Sequence, residues 1–337
     1  MNRRQFLASS VLPFALGCSR REAKPATGPV LTAADRERIR SDAEAREKHL
    51  LLRETCRVPS SAVRTTPKPS VDLLKELPDL KVLLRVAQRL HPRFGDEPKP
   101  DRTKLGGQFL WPSTEAWPDC PTYRIPLVPV LQLRIEDAPA AFAFRPGTDL
   151  LQLLWSPRDP ANGVISSRVV WRKASAVGTD LAALPSLEHA FMGYVPVPCA
   201  IFPERVMEFP PLAIMPQQMR ETIQLGKPIA PDDYTNFLSS SPGTKVGGWQ
   251  RYAADGTGCP TCKHPMDFLL AIDSDEWQPP TAKRWKPTED PDTEGYRRAA
   301  GLTFANPNAT VQVYICRRCE AMPTTAILCR EPGLSAT

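Results

Sequence analysis

Four short apolar runs stand out along the chain, each closed off by glycine, proline or acids. They cover 127–137, 150–155, 266–276 and 311–315. Their length and composition predict strands. The punctuation around them recurs. Lys104-Leu105-Gly106-Gly107 precedes the first pair of runs, and Lys245-Val246-Gly247-Gly248 precedes the second. A further glycine, Gly147 or Gly301, then leads into the second strand of each pair. This order predicts two related, β-rich halves, about 100–175 and about 244–330, in an α+β, mostly β domain spanning 71–330. The Gly-Gly pairs read as positions that need positive φ or a close backbone approach. Their spacing is not that of a Walker or dinucleotide loop. Between the halves, about 175–243 is a Pro-rich insertion whose pairing the pattern does not give.

The N-terminal part is patterned differently. Thr32-Ala33-Ala34-Asp35 resembles a capping box, with Asp in the place of Glu. Behind it, Arg36 to Glu54 is rich in Arg, Glu and Ala and poor in apolar positions, predicting a solvated helix. That helix is either a stalk or a surface helix packed on the domain. Val58 to Ser70 has the composition of a linker, so 18–70 reads as helical stalk plus linker. Leu73, Leu74, Leu77, Leu80, Leu83, Leu84, Ala87 and Leu90 then fall at helical spacing, interrupted at Pro78.

The first residues read as an address. Arg3-Arg4 followed by Phe6-Leu7 and an apolar run to Leu16 resembles a twin-arginine export signal, covering 1–17. Gly17-Cys18 resembles a lipobox junction, in which Cys18 is acylated and becomes the mature N-terminus. The alternative is an ordinary N-terminus with a chance Arg-Arg pair. The resemblance implies an exported chain on the periplasmic or cell-surface side, held to a membrane by lipid alone. The apolar run is too short to span a bilayer.

Composition narrows the picture. The 38 prolines among 337 residues exclude a long-helix architecture. The formal charge is +6, but it arises from 43 basic and 37 acidic side chains that are interspersed. No basic tract reads as a nucleic-acid stripe, so no nucleic-acid partner is expected.

Nine cysteines carry the candidate chemistry. Four of them form Cys259-Pro260-Thr261-Cys262 and Cys316-Arg317-Arg318-Cys319. A Cys-x-x-Cys turn presents two thiolates to one tetrahedral metal, and two such turns complete a closed four-cysteine site. One structural zinc ion is therefore expected at Cys259, Cys262, Cys316 and Cys319. The alternatives are a pair of disulfides and, less in keeping with the context, a thioredoxin-like redox pair. Cys56, Cys120, Cys199 and Cys329 have no pairing that spacing reveals. Of the four histidines, His49 and His91 read as exposed and His189 as a surface or satisfied side chain; His264 follows the first knuckle. Asp273, Asp275 and Glu276 read as a solvated strand end, with cation binding as the alternative. No Gly-x-Ser-x-Gly elbow or His-Glu-x-x-His pair is present.

The stretch Lys104 to Pro112, the Trp117-Pro118 pair, the strand through Gln132 and the segment Gly147 to Trp155 resemble the YwqG-like family of bacterial proteins, whose function is unknown. Lys245 to Gln250, the two Cys-x-x-Cys turns and Phe268 to Asp275 resemble its cysteine-bearing branch. The resemblance covers roughly 100–325 and implies a mostly β domain of two related halves, with no catalytic residues to carry over. Two functions are compatible with these readings. One is a zinc-stapled envelope protein that binds another protein or an envelope component. The other is a hydrolase-type enzyme with its site between the halves.

Overall fold

The computed structural model describes residues 31–59, 61–254, 257–304 and 308–330. Arg3, Arg4 and Cys18 lie outside these. Among the described residues no helix is long and apolar enough to cross a membrane.

Twelve strands lie among the described residues: β1 (Arg85–Arg89), β2 (Lys104–Leu105), β3 (Val128–Arg134), β4 (Leu150–Trp155), β5 (Val164–Ile165), β6 (Ser167–Arg172), β7 (Cys199–Ala200), β8 (Glu204–Glu208), β9 (Lys245–Gly247), β10 (Asp267–Asp273), β11 (Ala309–Ile315) and β12 (Thr324–Arg330). They form two sheets, of order β5-β12-β11-β10-β9-β1-β8 and β6-β4-β3-β2-β7. All pairings between these strands are antiparallel. One apolar core draws on both sheets: Leu131, Leu133, Leu151 and Leu153 from one, Leu270, Ile272, Val311 and Val313 from the other. The four apolar runs became β3, β4, β10 and β11. They read as continuous rather than alternating because both of their faces are covered. On the far faces, Trp111, Cys120, Leu127 and Leu154 form one satellite cluster, and Cys259, Met266, Tyr314 and Cys316 form another.

The two sheets share details of register. Lys104 pairs with Gln132 and Leu105 with Leu131, while Lys245 pairs with Ala271 and Val246 with Leu270. Each central ladder slips at one place, between Pro129 and Leu131 on β3 and between Phe268 and Leu270 on β10. Gly106 and Gly107 have φ of 63° and 68°, and Gly247 and Gly248 have 68° and 72°. Only glycine enters this region without strain. A carboxylate crowds the second glycine of each pair: a Cβ on Gly107 would stand 2.9 Å from Glu97 Oε1, and one on Gly248 2.9 Å from Glu208 Cδ.

Two expectations from the pattern need correction. First, Arg85–Arg89 is a strand, not the end of a helix; only Leu73–Glu76 and the 3-10 turn Pro78–Leu83 are helical there. Arg89 is fully buried, donating to the carbonyls of Glu276 and Trp285, and that buried charge breaks the alternation a strand would show. Second, 58–70 does not run free of the body. Val58, Arg64 and Thr66 are buried; Val58 N donates to Phe94 O, and Thr66 N to Glu204. The Pro-rich 175–243 stretch, whose pairing the pattern left open, supplies the edge strands β7 and β8. Its Phe209, Met215, Ile223, Tyr234 and Leu238 form a second core with Leu73 and Leu80.

Helix α1 (Ala33–Leu51) begins at the capping box, with Thr32 and Asp35 exchanging bonds as the sequence indicated. It has no fully buried residue, yet it lies along the body. Arg46 donates to Val195 O, Asp35 pairs with Arg158 at 2.6 Å, and Arg38 pairs with Asp159. Of the two readings of this helix, the contacts are those of a surface helix.

Candidate metal centre

The two Cys-x-x-Cys turns belong to neighbouring strands. The first leads into β10 and the second leaves β11. Asp267 at the start of β10 pairs with Ile315 at the end of β11, so the turns come out side by side. In the first, Cys259 N donates to His264 O and Lys263 N to Cys259 O, at 2.8 and 2.9 Å. Lys263 takes a φ of 63° to close it. In the second, Cys316 N donates to Pro323 O and Met322 N to Cys319 O.

The four Sγ atoms lie within 4.8 Å of one another. Cys259 and Cys319 approach to 3.9 Å, and Cys262 and Cys316 to 3.6 Å. Four thiols so placed are able to hold one metal ion. Cys259 and Cys316 are buried, while Cys262 and Cys319 are half-buried. Beneath them Met266, Tyr314, Ile327 and Cys329 form an apolar pad. Burial pushes the Cys259 thiol up, but the N–H groups of Cys262 and Thr261 and the neighbouring thiols outweigh it, bringing it to about 6. Cys319, hydrogen-bonded to the Cys262 thiol and also desolvated, is pushed up to about 12. The cluster thus favours a thiolate at Cys259 and holds the proton on Cys319, a proton that a metal would displace. No cysteine among the described residues is in a disulfide.

The chain matches no protein-family model, and a search of curated proteins returns no relative.

The remaining candidates fall out as follows. His91, read as exposed, is fully buried, with Nε2 2.9 Å from Glu204. His49, also read as exposed, is half-buried against Phe94 and faces Ala299 O at 3.4 Å. It lines a cleft of about 380 Å³ between α1 and 301–303, together with Asp42, Glu294 and Arg298. These groups already have partners: Asp42 accepts from Gly193 N, and Glu294 pairs with Arg298.

Asp273, Asp275 and Glu276 are buried rather than solvated. Asp275 is taken by Arg297 and Arg298, and Glu276 accepts from Thr244 N. Sequence reading missed a further set of buried ions: Arg93 and Arg64 on Asp290, and Lys245 on Glu208. The one signal for the last pair was a lysine close before Gly-Gly.

Asp273 makes a pH prediction. Burial, with Asp275 and Glu276 nearby, raises its carboxyl to about 7, against the pull of Arg251. The folded state keeps this proton where the unfolded chain, with an ordinary value near 3.8, has released it. Its contribution to stability is therefore full below about pH 4 and is lost as pH rises towards about 7. Urea midpoints of the parent and of Asp273→Asn, measured across that range, should diverge in favour of the variant as pH rises. Parallel curves would show that Asp273 is ionised in the fold.

Proposed function

We propose that this chain is an exported envelope lipoprotein, addressed by Arg3-Arg4 and acylated at Cys18, whose body is a non-enzymatic interaction module stapled by one structural zinc ion. Its partner is a protein or an envelope component. The observation that carries the zinc reading is the convergence of Cys259, Cys262, Cys316 and Cys319 within 4.8 Å. Thiolates in a four-fold set select zinc among the common divalent ions, and such a set leaves no coordination position for chemistry. That closed shell favours a staple over a catalytic centre.

The body is, on this reading, two copies of one unit. The shared register, the matching slips on β3 and β10, and the two Gly-Gly pairs at positive φ support it. The competing reading is a hydrolase with its site between the halves. The His49 cleft is its best location, but its polar groups are engaged with each other and with backbone, and the hydroxyl lining it belongs to Thr303. Nothing there pairs a nucleophile with a free base.

Elemental analysis of the purified mature protein tests the proposal. One zinc per chain is expected, and none in Cys316→Ser. A zinc-free protein carrying Cys259–Cys262 and Cys316–Cys319 disulfides would overturn it.

A further inference from the structure

We infer that Cys120, Tyr123, Ser156 and Asp159 form a metal-free copy of the four-cysteine corner, in which the N-terminal helix does the fastening that the metal does in the other half. The inference rests on the two-copy reading above.

Cys120-Pro121-Thr122-Tyr123-Arg124-Ile125-Pro126-Leu127 leads into β3 as Cys259-Pro260-Thr261-Cys262-Lys263-His264-Pro265-Met266 leads into β10. The backbones of the two turns agree bond for bond. Cys120 N donates to Ile125 O at 2.8 Å and Arg124 N to Cys120 O at 2.9 Å, the same two bonds and lengths as at Cys259. Arg124 has a φ of 54° where Lys263 has 63°. An isolated bridge joins Asp119 to Pro126 in one turn and Gly258 to Pro265 in the other.

The second turns correspond as well. Ser156 follows β4 as Cys316 follows β11. Trp155 pairs with Ser167 in one ladder, and Ile315 with Thr324 in the other. Ser156 N donates to Ser166 O, and Cys316 N to Pro323 O. Three residues on stand Asp159 and Cys319 respectively. Burial follows the same order: Cys120 and Ser156 are buried, and Tyr123 and Asp159 are half-buried, as in Cys259, Cys316, Cys262 and Cys319. Ser156 Oγ is buried without a hydrogen bond of sound geometry, although it lies near enough to influence the Cys120 thiol. A buried hydroxyl in this condition is what remains when a thiolate ligand position loses its sulfur and its metal.

The copies differ in what covers them. Arg317 and Arg318 are exposed, whereas Pro157 and Arg158 are buried. Arg158 reaches Asp35 of α1 at 2.6 Å and stands over the Tyr123 ring at 5.4 Å. Asp159 pairs with Arg38 of α1 and accepts from the Tyr194 hydroxyl. Tyr123 and Asp159, in the positions of Cys262 and Cys319, therefore help to seat α1.

Three substitutions should convert the corner back. In the full mature chain, Tyr123→Cys with Ser156→Cys and Asp159→Cys should raise bound zinc from one to two per chain. It should also double the thiolate-to-metal absorbance on cobalt(II) substitution. A parent with one metal and a folded variant that still binds one would overturn the inference; a parent with none would overturn the zinc reading instead. The single Ser156→Cys change is small enough to guard against a triple variant that does not fold. With the metal-loaded protein under mild oxidation, a disulfide should form between Cys120 and the new thiol at position 156. Its absence from the peptide map would count against the inference. The helix half of the claim has its own readout. Arg158→Ala should increase proteolytic cleavage within α1 at least several-fold while metal content stays at one. Unchanged cleavage would overturn the seating role.

Discussion

Cys316→Ser is expected to lower the thermal midpoint of the mature protein by on the order of 10 °C or more, and chelation of the parent should bring it to the same value. The zinc would tie the turn before β10 to the turn after β11, two segments far apart in sequence. A structural zinc contributes roughly 10 kcal/mol of apparent binding energy in small domains, which is folding energy when the unfolded chain lacks the site. Part of that is returned because unfolded cysteines also bind metal. A few kcal/mol net, at about 2–4 °C per kcal/mol for a body of this size, gives the expected shift. Scanning calorimetry with and without chelator decides it. Identical melting of parent, chelated parent and Cys316→Ser would mean that the four thiols contribute nothing as a metal site. The variant also tests where the effect acts. Tyr314, Ile327 and Cys329 form the pad below the cluster, so β11 and β12 should lose hydrogen-exchange protection first.

Glu208→Leu should cost about 3–5 kcal/mol, the range for breaking a buried ion pair by removing one partner. Glu208 and Lys245 side chains are both fully buried. The carboxylate accepts from Lys245 Nζ at 2.8 and 2.9 Å, from Ser241 N at 2.9 Å, from Trp249 N at 2.8 Å and from the Ser241 hydroxyl. Leucine would leave an ammonium and two backbone N–H groups without this carboxylate inside the body. Lys245→Met should cost less, because the carboxylate keeps its backbone and hydroxyl donors. The double variant should then recover part of the single Glu208→Leu loss. Equilibrium denaturation of the three variants measures this. Additive losses would show that the two side chains act independently.

The sequence was most legible where spacing alone determines geometry. The Cys-x-x-Cys turns were readable because two thiolates at that interval face one point, and β3, β4, β10 and β11 because strands covered on both faces are uninterrupted in apolar residues. Legibility failed where charge was buried. Arg85–Arg89 carries Gln88 and Arg89 inside the body, so its strand period was lost and Ala87 and Leu90 suggested a helix. Val58 to Ser70 had a linker's composition, but Thr66 and Arg64 are fixed by Glu204 and Asp290, partners far along the chain that composition does not reveal. The seat of α1 was hidden for a related reason, since it is held largely by Arg38, Arg46 and Asp35 reaching distant partners rather than by an apolar stripe. The match between Cys120-Pro121-Thr122 and Cys259-Pro260-Thr261 is visible in the letters. Cysteine spacing gives it no weight, because the first of these turns has only one thiol and so lacks the paired Cys-x-x-Cys signature of a metal turn.

The seven-stranded sheet is assembled out of sequence order. Its strand β1 lies between β8 and β9, and β5 closes the opposite edge against β12. A nascent chain that has released β1 from the ribosome has no sheet partner for it until β8 and β9 follow, and β5 waits longer still for β12. Loop-closure entropy makes such distant pairings slow. The sheet therefore cannot be completed before β12 has emerged. The strands β9 to β12, expressed without the rest, would present two bare edges, at β9 and at β12. Such edges are templates for aggregation, so the unit of expression and truncation is the whole body, from the buried Val58 to β12.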